Sequence, residues 1–174
     1  IFNINRLGLT DSFEAGKSLT VGIDYKKTNL ENINRYFEAK VSTVLRDKKE
    51  NFIPQSSTLN NKRSNLFGSI TYNKSENFKL DYDFIMDNDL DKFNLNSVSS
   101  EFSYKNFSTE VKFIEERGEI GNTNSMENNF EYKWDENNYI SFNTRRNRTI
   151  GLTEYYDLLY EYKNDCLTAG FKYK

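Results

Sequence analysis

Apolar and polar residues alternate one by one along most of this chain, and that alternation restricts the fold more than any other feature. In residues 77–87, large apolar side chains occupy every second position: Phe78, Leu80, Tyr82, Phe84 and Met86. A period of two residues is typical of a β-strand with one apolar and one hydrated face. The pattern recurs in roughly ten segments between residues 18 and 173, and no segment has the helical period. We therefore predict an all-β chain of about ten strands.

The polar links between the strands predict their connectivity. From the third strand onward, short links alternate with longer ones. The short links are Lys74–Glu76, Lys105–Asn106, Asp135–Asn138 and Lys163–Asp165. The longer links are Asp47–Asn65, Asn88–Asp91, Glu116–Asn124 and Asn147–Thr153. This order is typical of antiparallel up-and-down barrels of the outer membrane. Successive links lie at alternate ends of the sheet, which places the link Thr28–Arg35 at the short-link end. We interpret it as a longer turn at that end. The apolar phase also slips after Leu95, which predicts a β-bulge there.

Alternation does not say which way the apolar face points. A membrane barrel turns that face to lipid, whereas a lipocalin-like barrel turns it inward. Three features favour lipid. Strands of about nine residues at about 45° can cross a hydrocarbon layer. Aromatic residues often end the apolar stripes near the short links, and the polar positions mix both charge signs. We predict a transmembrane β-barrel, with a soluble barrel that binds an apolar ligand as the alternative.

Composition excludes several classes of function. The 174 residues contain no His, so the most common general base and most zinc sites are absent. Lys and Arg (24) nearly balance Asp and Glu (26), whereas nucleic-acid-binding proteins are usually basic. We expect no nucleic-acid partner, no cofactor, no metal site and no enzymatic activity. An outer-membrane protease or lipase of ten strands is the enzyme alternative, but such sites generally use His.

Three segments resemble a known family. They are Asn5–Gly22, the stretch from Arg46 through Ile53, Pro54 and Leu59 to Gly68, and Tyr160–Cys166. They resemble the barrel domain of the LptD family of lipopolysaccharide-assembly proteins, also called the organic-solvent-tolerance family. Ser42 and Thr43 stand where that family often has a Gly-Gln pair.

The resemblance implies a function, a location and partners. It implies insertion of lipopolysaccharide into the outer leaflet of the bacterial outer membrane, through a barrel that opens between its first and last strands. The implied partners are lipopolysaccharide, membrane lipid, a plug lipoprotein and periplasmic bridge proteins. We expect residues 1–174 to be a single partial barrel domain, incomplete at both ends and part of a larger barrel. Another porin-like barrel is the alternative.

Charged residues at polar strand positions are candidate groups for the barrel interior, or lumen. They are Asp24, Lys26, Lys40, Asp81, Asp83, Glu110, Lys112, Glu131, Lys133, Glu161 and Lys163. Arg145, Arg146 and Arg148 form the densest basic cluster. Because arginine forks match phosphate, these three are candidate contacts for lipopolysaccharide phosphates. The alternative is a solvated rim.

Three further features have open interpretations. Cys166 is the single cysteine, and the resemblance implies a disulfide from it to a cysteine outside this chain. The alternative is an unpaired residue at a strand start. The acids from Asp87 to Asp91 lack the Gly and Glu that an EF-hand needs, so we read them as a solvated loop. The long link Asp47–Asn65 either folds over the lumen as a partial plug or lies outside.

Overall fold

The computed structural model describes residues 16–53, 58–118 and 122–174. These residues form ten strands and no helix, so they include no helix that could cross a membrane. The strands are β1 (Ser18–Thr28), β2 (Tyr36–Arg46), β3 (Leu66–Ser75), β4 (Phe78–Met86), β5 (Phe93–Tyr104), β6 (Phe107–Glu116), β7 (Asn124–Lys133), β8 (Asn138–Asn147), β9 (Leu152–Lys163) and β10 (Thr168–Tyr173). Residues 5–15, part of the resemblance, lie outside the described residues, as does Pro54.

All ten strands form one antiparallel sheet in sequence order. Each strand pairs with its neighbours along the chain, which confirms the all-β, up-and-down prediction. Among the described strands, β1 pairs only with β2 and β10 pairs only with β9. The sheet is therefore open at both edges. Closure into a barrel stays a prediction.

The links confirm the predicted alternation in the middle of the sheet but not at its end. Between β3 and β7 the links are 76–77, 87–92, 105–106 and 117–123. The last three links, 134–137, 148–151 and 164–167, are equal in length, so strict alternation there was wrong. The reason is turn chemistry. In each of these turns one side-chain Oδ1, from Asp135, Asn147 or Asn164, accepts the backbone N–H groups two and three residues ahead, which closes a tight Asx turn.

The predicted bulge is present one step earlier than expected. Ile85 pairs with Leu95, but Met86 pairs with Phe93, so Asn94 is the extra residue. The bulge therefore precedes Leu95 and turns its side chain to the same side as Ile85. This is why the apolar phase of the sequence slips there.

The pairing register separates the sheet into two chemically different faces, because directly paired residues point to the same side. The apolar face is illustrated by one row across eight strands: Tyr25, Ala39, Ile70, Tyr82, Val98, Phe113, Met126 and Arg146. The polar face is illustrated by the adjacent row: Lys26, Glu38, Thr71, Asp81, Ser99, Lys112, Glu127 and Arg145. The period-two pattern of each strand is thus in register across the sheet.

Little of the apolar face is covered by protein. Many of its large side chains are exposed, with Leu19 at 62%, Ile23 at 75% and Phe171 at 60%. In the described part of the chain, the buried hydrophobic cluster is small and consists of Val44, Ile53 and Leu59, with Phe67 packed against it. Val44 and Phe67 lie on the polar face, so this cluster does not cover the apolar one. An apolar sheet face must be covered by something, and here nothing within the described chain does so.

One close contact on the apolar face gives a testable prediction. The Phe84 ring lies over Gly68, its cross-strand partner, and a Cβ built on Gly68 would fall 2.1 Å from Phe84 Cζ. The ring also contacts Tyr82 and Phe93 at centroid distances of 5.6 and 6.0 Å, which restricts its movement. We expect Gly68→Ala to reduce the free energy of unfolding by about 1–3 kcal/mol through overpacking. Denaturant titration measures it.

A double-mutant cycle tests the cause. Phe84→Ala also destabilises by removing ring contacts, but Gly68→Ala should then cost little in the Phe84→Ala background. Additive effects would show that the ring over Gly68 is not the reason for the glycine.

Candidate functional site: the polar face and its loop cover

The predicted lumen residues all lie on the polar face. The strand register brings together residues from six strands: Asp24, Lys26, Lys40, Asp81, Asp83, Glu110, Lys112, Glu131, Lys133, Glu161 and Lys163. Their placement on one face follows from the side-chain period of two and the unbroken antiparallel pairing. That this face lines a lumen stays a prediction.

Ion pairs form on the polar face, both between the neighbouring strands β1 and β2 and within single strands. Lys40 Nζ lies 3.0 Å from Glu38 and 3.9 Å from Asp24, and Lys26 Nζ lies 3.9 Å from Glu38. Lys79 Nζ lies 2.6 Å from Asp81 Oδ2. These side chains are partly exposed, so each pair contributes only about 0–1 kcal/mol. The result is a hydrated surface of mixed charge, with no single pair on which it depends.

Three open clefts follow the polar face from β4 to β9. Their volumes are about 230, 240 and 600 Å³. Glu110 and Glu131 each line two of them, and Lys112, Lys133, Glu161 and Lys163 line one. The clefts are mainly lined by charged and amide side chains, which suit hydroxyl-rich or ionic groups rather than an apolar ligand.

Loop 47–65, which the structure describes at residues 47–53 and 58–65, packs in those parts on the polar face at the long-link end of the sheet. Its last residues continue along β2: Ser64 N donates to Val44 O at 2.9 Å, and Arg46 N donates to Lys62 O at 2.8 Å. Ser64 Oγ also accepts from Val44 N at 2.9 Å. Ser64 is fully buried. The loop is therefore fixed at its base by backbone hydrogen bonds as well as by packing.

Apolar contacts fix the body of the loop. Ile53 and Leu59, at 2% and 7% exposure, pack with Val44 and Phe67 of the sheet. Within the loop, Glu50 N donates to Asn60 O at 2.9 Å. The described parts of the loop thus pack on the polar face, and the partial plug stays a prediction. The sequence signal that could have revealed this packing is the pair Val44 and Phe67, which are apolar residues at positions of polar phase.

The arginine cluster is divided between the two faces. Arg145 lies on the polar face, with Glu127 at 3.5 Å and Glu154 at 3.0 Å. Arg146 is opposite Met126 on the apolar face. The Arg148 guanidinium lies over the Phe113 ring of that same face, 5.1 Å from its centroid. Three neighbouring residues in sequence thus have two different environments.

The Asp87–Asp91 segment is a closed turn. Asp91 N donates to Asp87 Oδ1 at 3.1 Å. A hydrogen bond between the two carboxyl groups lowers the pKa of Asp87 and raises that of Asp91. The described residues contain no group of acids, Cys or His arranged to hold a metal ion.

Cys166 lies in the turn 164–167, at the short-link end of the sheet. Its backbone N donates to Asn164 Oδ1 at 3.0 Å, and its side chain is exposed and free in the described chain. The exposed thiol is accessible to another segment or chain. A disulfide to a cysteine beyond this chain stays a prediction.

Comparison with known proteins adds no assignment. No protein-family model matches this chain. No curated protein matches it either.

Proposed function

We propose that this chain forms part of the wall of an outer-membrane β-barrel that transports lipopolysaccharide and inserts it into the outer leaflet of the bacterial outer membrane. The observation that carries the membrane part of the proposal is the uncovered apolar face opposite a continuous charged face. The resemblance of residues 5–22, 46–68 and 160–166 to the lipopolysaccharide-assembly family supports the choice of cargo.

The height of the uncharged band on the apolar face supports a location in a bilayer. At paired positions of the apolar face, charged residues occur only near strand ends: Lys27, Glu115 and Arg146. β4 has nine residues and no charge on this face. At about 3.3 Å per residue and a tilt of about 40–45°, such a strand crosses about 20 Å of depth. An apolar band of about 25 Å is typical of outer-membrane barrels.

An aromatic belt at the short-link end supports the placement of that end at a membrane–water interface. Ring pairs join neighbouring strands there: Tyr25–Phe37 at 6.3 Å, Tyr72–Phe78 at 6.5 Å, Phe102–Phe107 at 6.1 Å and Phe107–Phe130 at 5.2 Å. Trp134 stacks on Tyr160 at 5.7 Å and continues the belt toward β9. Aromatic girdles occupy this position where a barrel enters the interface.

The two faces and the loop suggest how transport works. The polar face gives sugar and phosphate head groups a hydrated path, while acyl chains pass into the bilayer through a lateral seam. Lipid does not tolerate free strand edges, so in the membrane β1 and β10 pair with each other or with further strands. Loop 47–65 restricts the polar path at the long-link end. The resemblance adds a plug lipoprotein and periplasmic bridge proteins as partners.

Reconstitution tests the proposal. We expect the purified chain to require detergent, to float with phospholipid vesicles and to retain lipopolysaccharide during purification. A chain that is monodisperse without detergent would contradict the membrane location and favour a soluble barrel. A chain that inserts and conducts ions but retains no lipopolysaccharide would favour another porin-like barrel.

A further inference from the structure

Two arginines lie at the long-link end of the apolar face, where the proposed barrel meets lipid. Arg146 is the last β8 residue on this face, opposite Met126 of β7. Arg148 continues the same register, because its backbone N donates to Asn124 O at 2.7 Å. Both side chains are exposed. Charge on this face is otherwise rare, so the pair requires an explanation.

Three acidic side chains near this end bind other arginines. Glu127 and Glu154 bind Arg145 on the polar face, and Glu115 binds Arg117. Among the residues that the structure describes, neither Arg146 nor Arg148 has an ion-pair partner. The alternative interpretation, a solvated rim in which neighbouring charges cancel, therefore applies to Arg145 and Arg117. It does not apply to Arg146 and Arg148.

Apolar side chains lie beside the pair, and Glu115 lies on the same face, where it binds Arg117. The Arg148 guanidinium lies over the Phe113 ring at 5.1 Å, and its turn is closed by Asn147 Oδ1, which accepts from Thr149 N at 3.1 Å. Met126 is 44% exposed and Ile150 is 67% exposed beside them. A ligand that suits both features has an anionic group for the guanidinium forks and hydrocarbon for the apolar side chains. A lipid with a phosphate-bearing head group has both.

We propose that Arg146 and Arg148 bind the phosphate of a lipid head group on the outer surface of the barrel, at its long-link end. This inference rests on the proposed function, because it needs the apolar face to contact a bilayer. It assigns the site to the lipid side of the wall rather than to the transport path. Arg145 has no part in it.

Lipid binding by the full chain in zwitterionic detergent tests the inference. The probes are diphosphorylated lipid A, monophosphorylated lipid A, phosphatidylglycerol and phosphatidylcholine, and native mass spectrometry measures the bound fraction. We expect Arg146→Gln with Arg148→Gln to weaken binding of the phosphate-rich lipid about tenfold. Arg146→Lys with Arg148→Lys should weaken lipid binding less, because the positive charges remain while the fork geometry of the guanidinium is lost.

A matched control removes the same charge elsewhere at this end. Lys48 and Lys92 are exposed on loops there, and each lies near an acid, at 3.7 Å from Glu50 and 3.9 Å from Asp91. Lys48→Gln with Lys92→Gln should leave lipid binding unchanged. An equal loss in this control would overturn the site, since it would show a general charge effect.

The remaining outcomes separate the two proposals. Preference for lipid A over phosphatidylglycerol identifies a phosphomonoester ligand, whereas equal binding identifies a general anionic phospholipid. If the variant with Arg146→Gln and Arg148→Gln inserts into vesicles and keeps the lipid preference of the unmodified chain, the arginine site is wrong. The proposed function is not affected by that result. An unmodified chain that is monodisperse without detergent and does not insert overturns the proposed function, and the site with it. Vesicle flotation of each variant shows that it is folded and inserted before its lipid binding is compared.

Discussion

Tyr82→Arg is expected to lower the free energy of unfolding from a bilayer by about 2–4 kcal/mol. Tyr82 is the middle residue of β4 and faces the apolar side, between Ile70 and Val98 in the pairing row. In the proposed barrel it lies near the bilayer midplane, where an arginine loses its water without gaining a partner. Urea titration of the vesicle-inserted protein measures the change.

Two control variants separate charge from other effects. Tyr82→Phe removes only the hydrogen bond from Tyr82 Oη to Asn96 Oδ1, 2.9 Å long, and should cost about 0.5–1.5 kcal/mol. Ser99→Arg adds the same charge one position along β5 from Val98, on the polar face opposite Asp81. It should change stability by less than about 0.5 kcal/mol. If Ser99→Arg and Tyr82→Arg cost the same, the assignment of the apolar face to lipid is wrong.

Ile53→Ala is expected to release loop 47–65 from the polar face. Ile53 is 2% exposed between Val44 and Leu59, and truncation of such a side chain costs about 2–5 kcal/mol. The hydrogen bonds at Ser64 N and Arg46 N should then open more often. Amide hydrogen exchange at these two positions measures the opening, and the conductance of single molecules in planar bilayers should rise.

The neighbouring residue provides the control for the loop. Phe52 is 91% exposed, so Phe52→Ala removes a larger side chain from the same loop without removing a buried contact. It should leave exchange and conductance unchanged. Equal effects of the two variants would mean that the loop is not held by the cluster of Val44, Ile53 and Leu59.

Strand-level structure could be predicted from local pattern alone. The alternation in residues 77–87 corresponds to β4, and the same reasoning located the other strands because side-chain period is a property of each segment. Placement of Asp81, Lys112 and Glu131 on one face followed for the same reason. The lengths of the links between strands were harder to predict. Residues 148–151 were predicted as part of a long loop, but the Asn147 side chain closes a tight turn.

The arginine cluster shows why part of the candidate site could not be predicted. Sequence proximity grouped Arg145, Arg146 and Arg148, but adjacent strand residues point to opposite faces, and only the pairing with β7 and β9 gives each one its neighbours. The carboxylates that bind Arg145 belong to Glu127, on a neighbouring strand, and to Glu154, across a turn. Neither contact is visible as a motif.

The sequence by itself determined the all-β class, the strand positions, the chemistry of the two faces and the absence of histidine chemistry, because each depends on composition or on a short-range period. Tertiary structure alone decided that loop 47–65 packs on Val44 and Phe67 of the polar face, that Leu95 turns to the side of Ile85, and that Arg148 lies over the Phe113 ring. These features depend on cross-strand register and on contacts between distant segments, which no local pattern encodes.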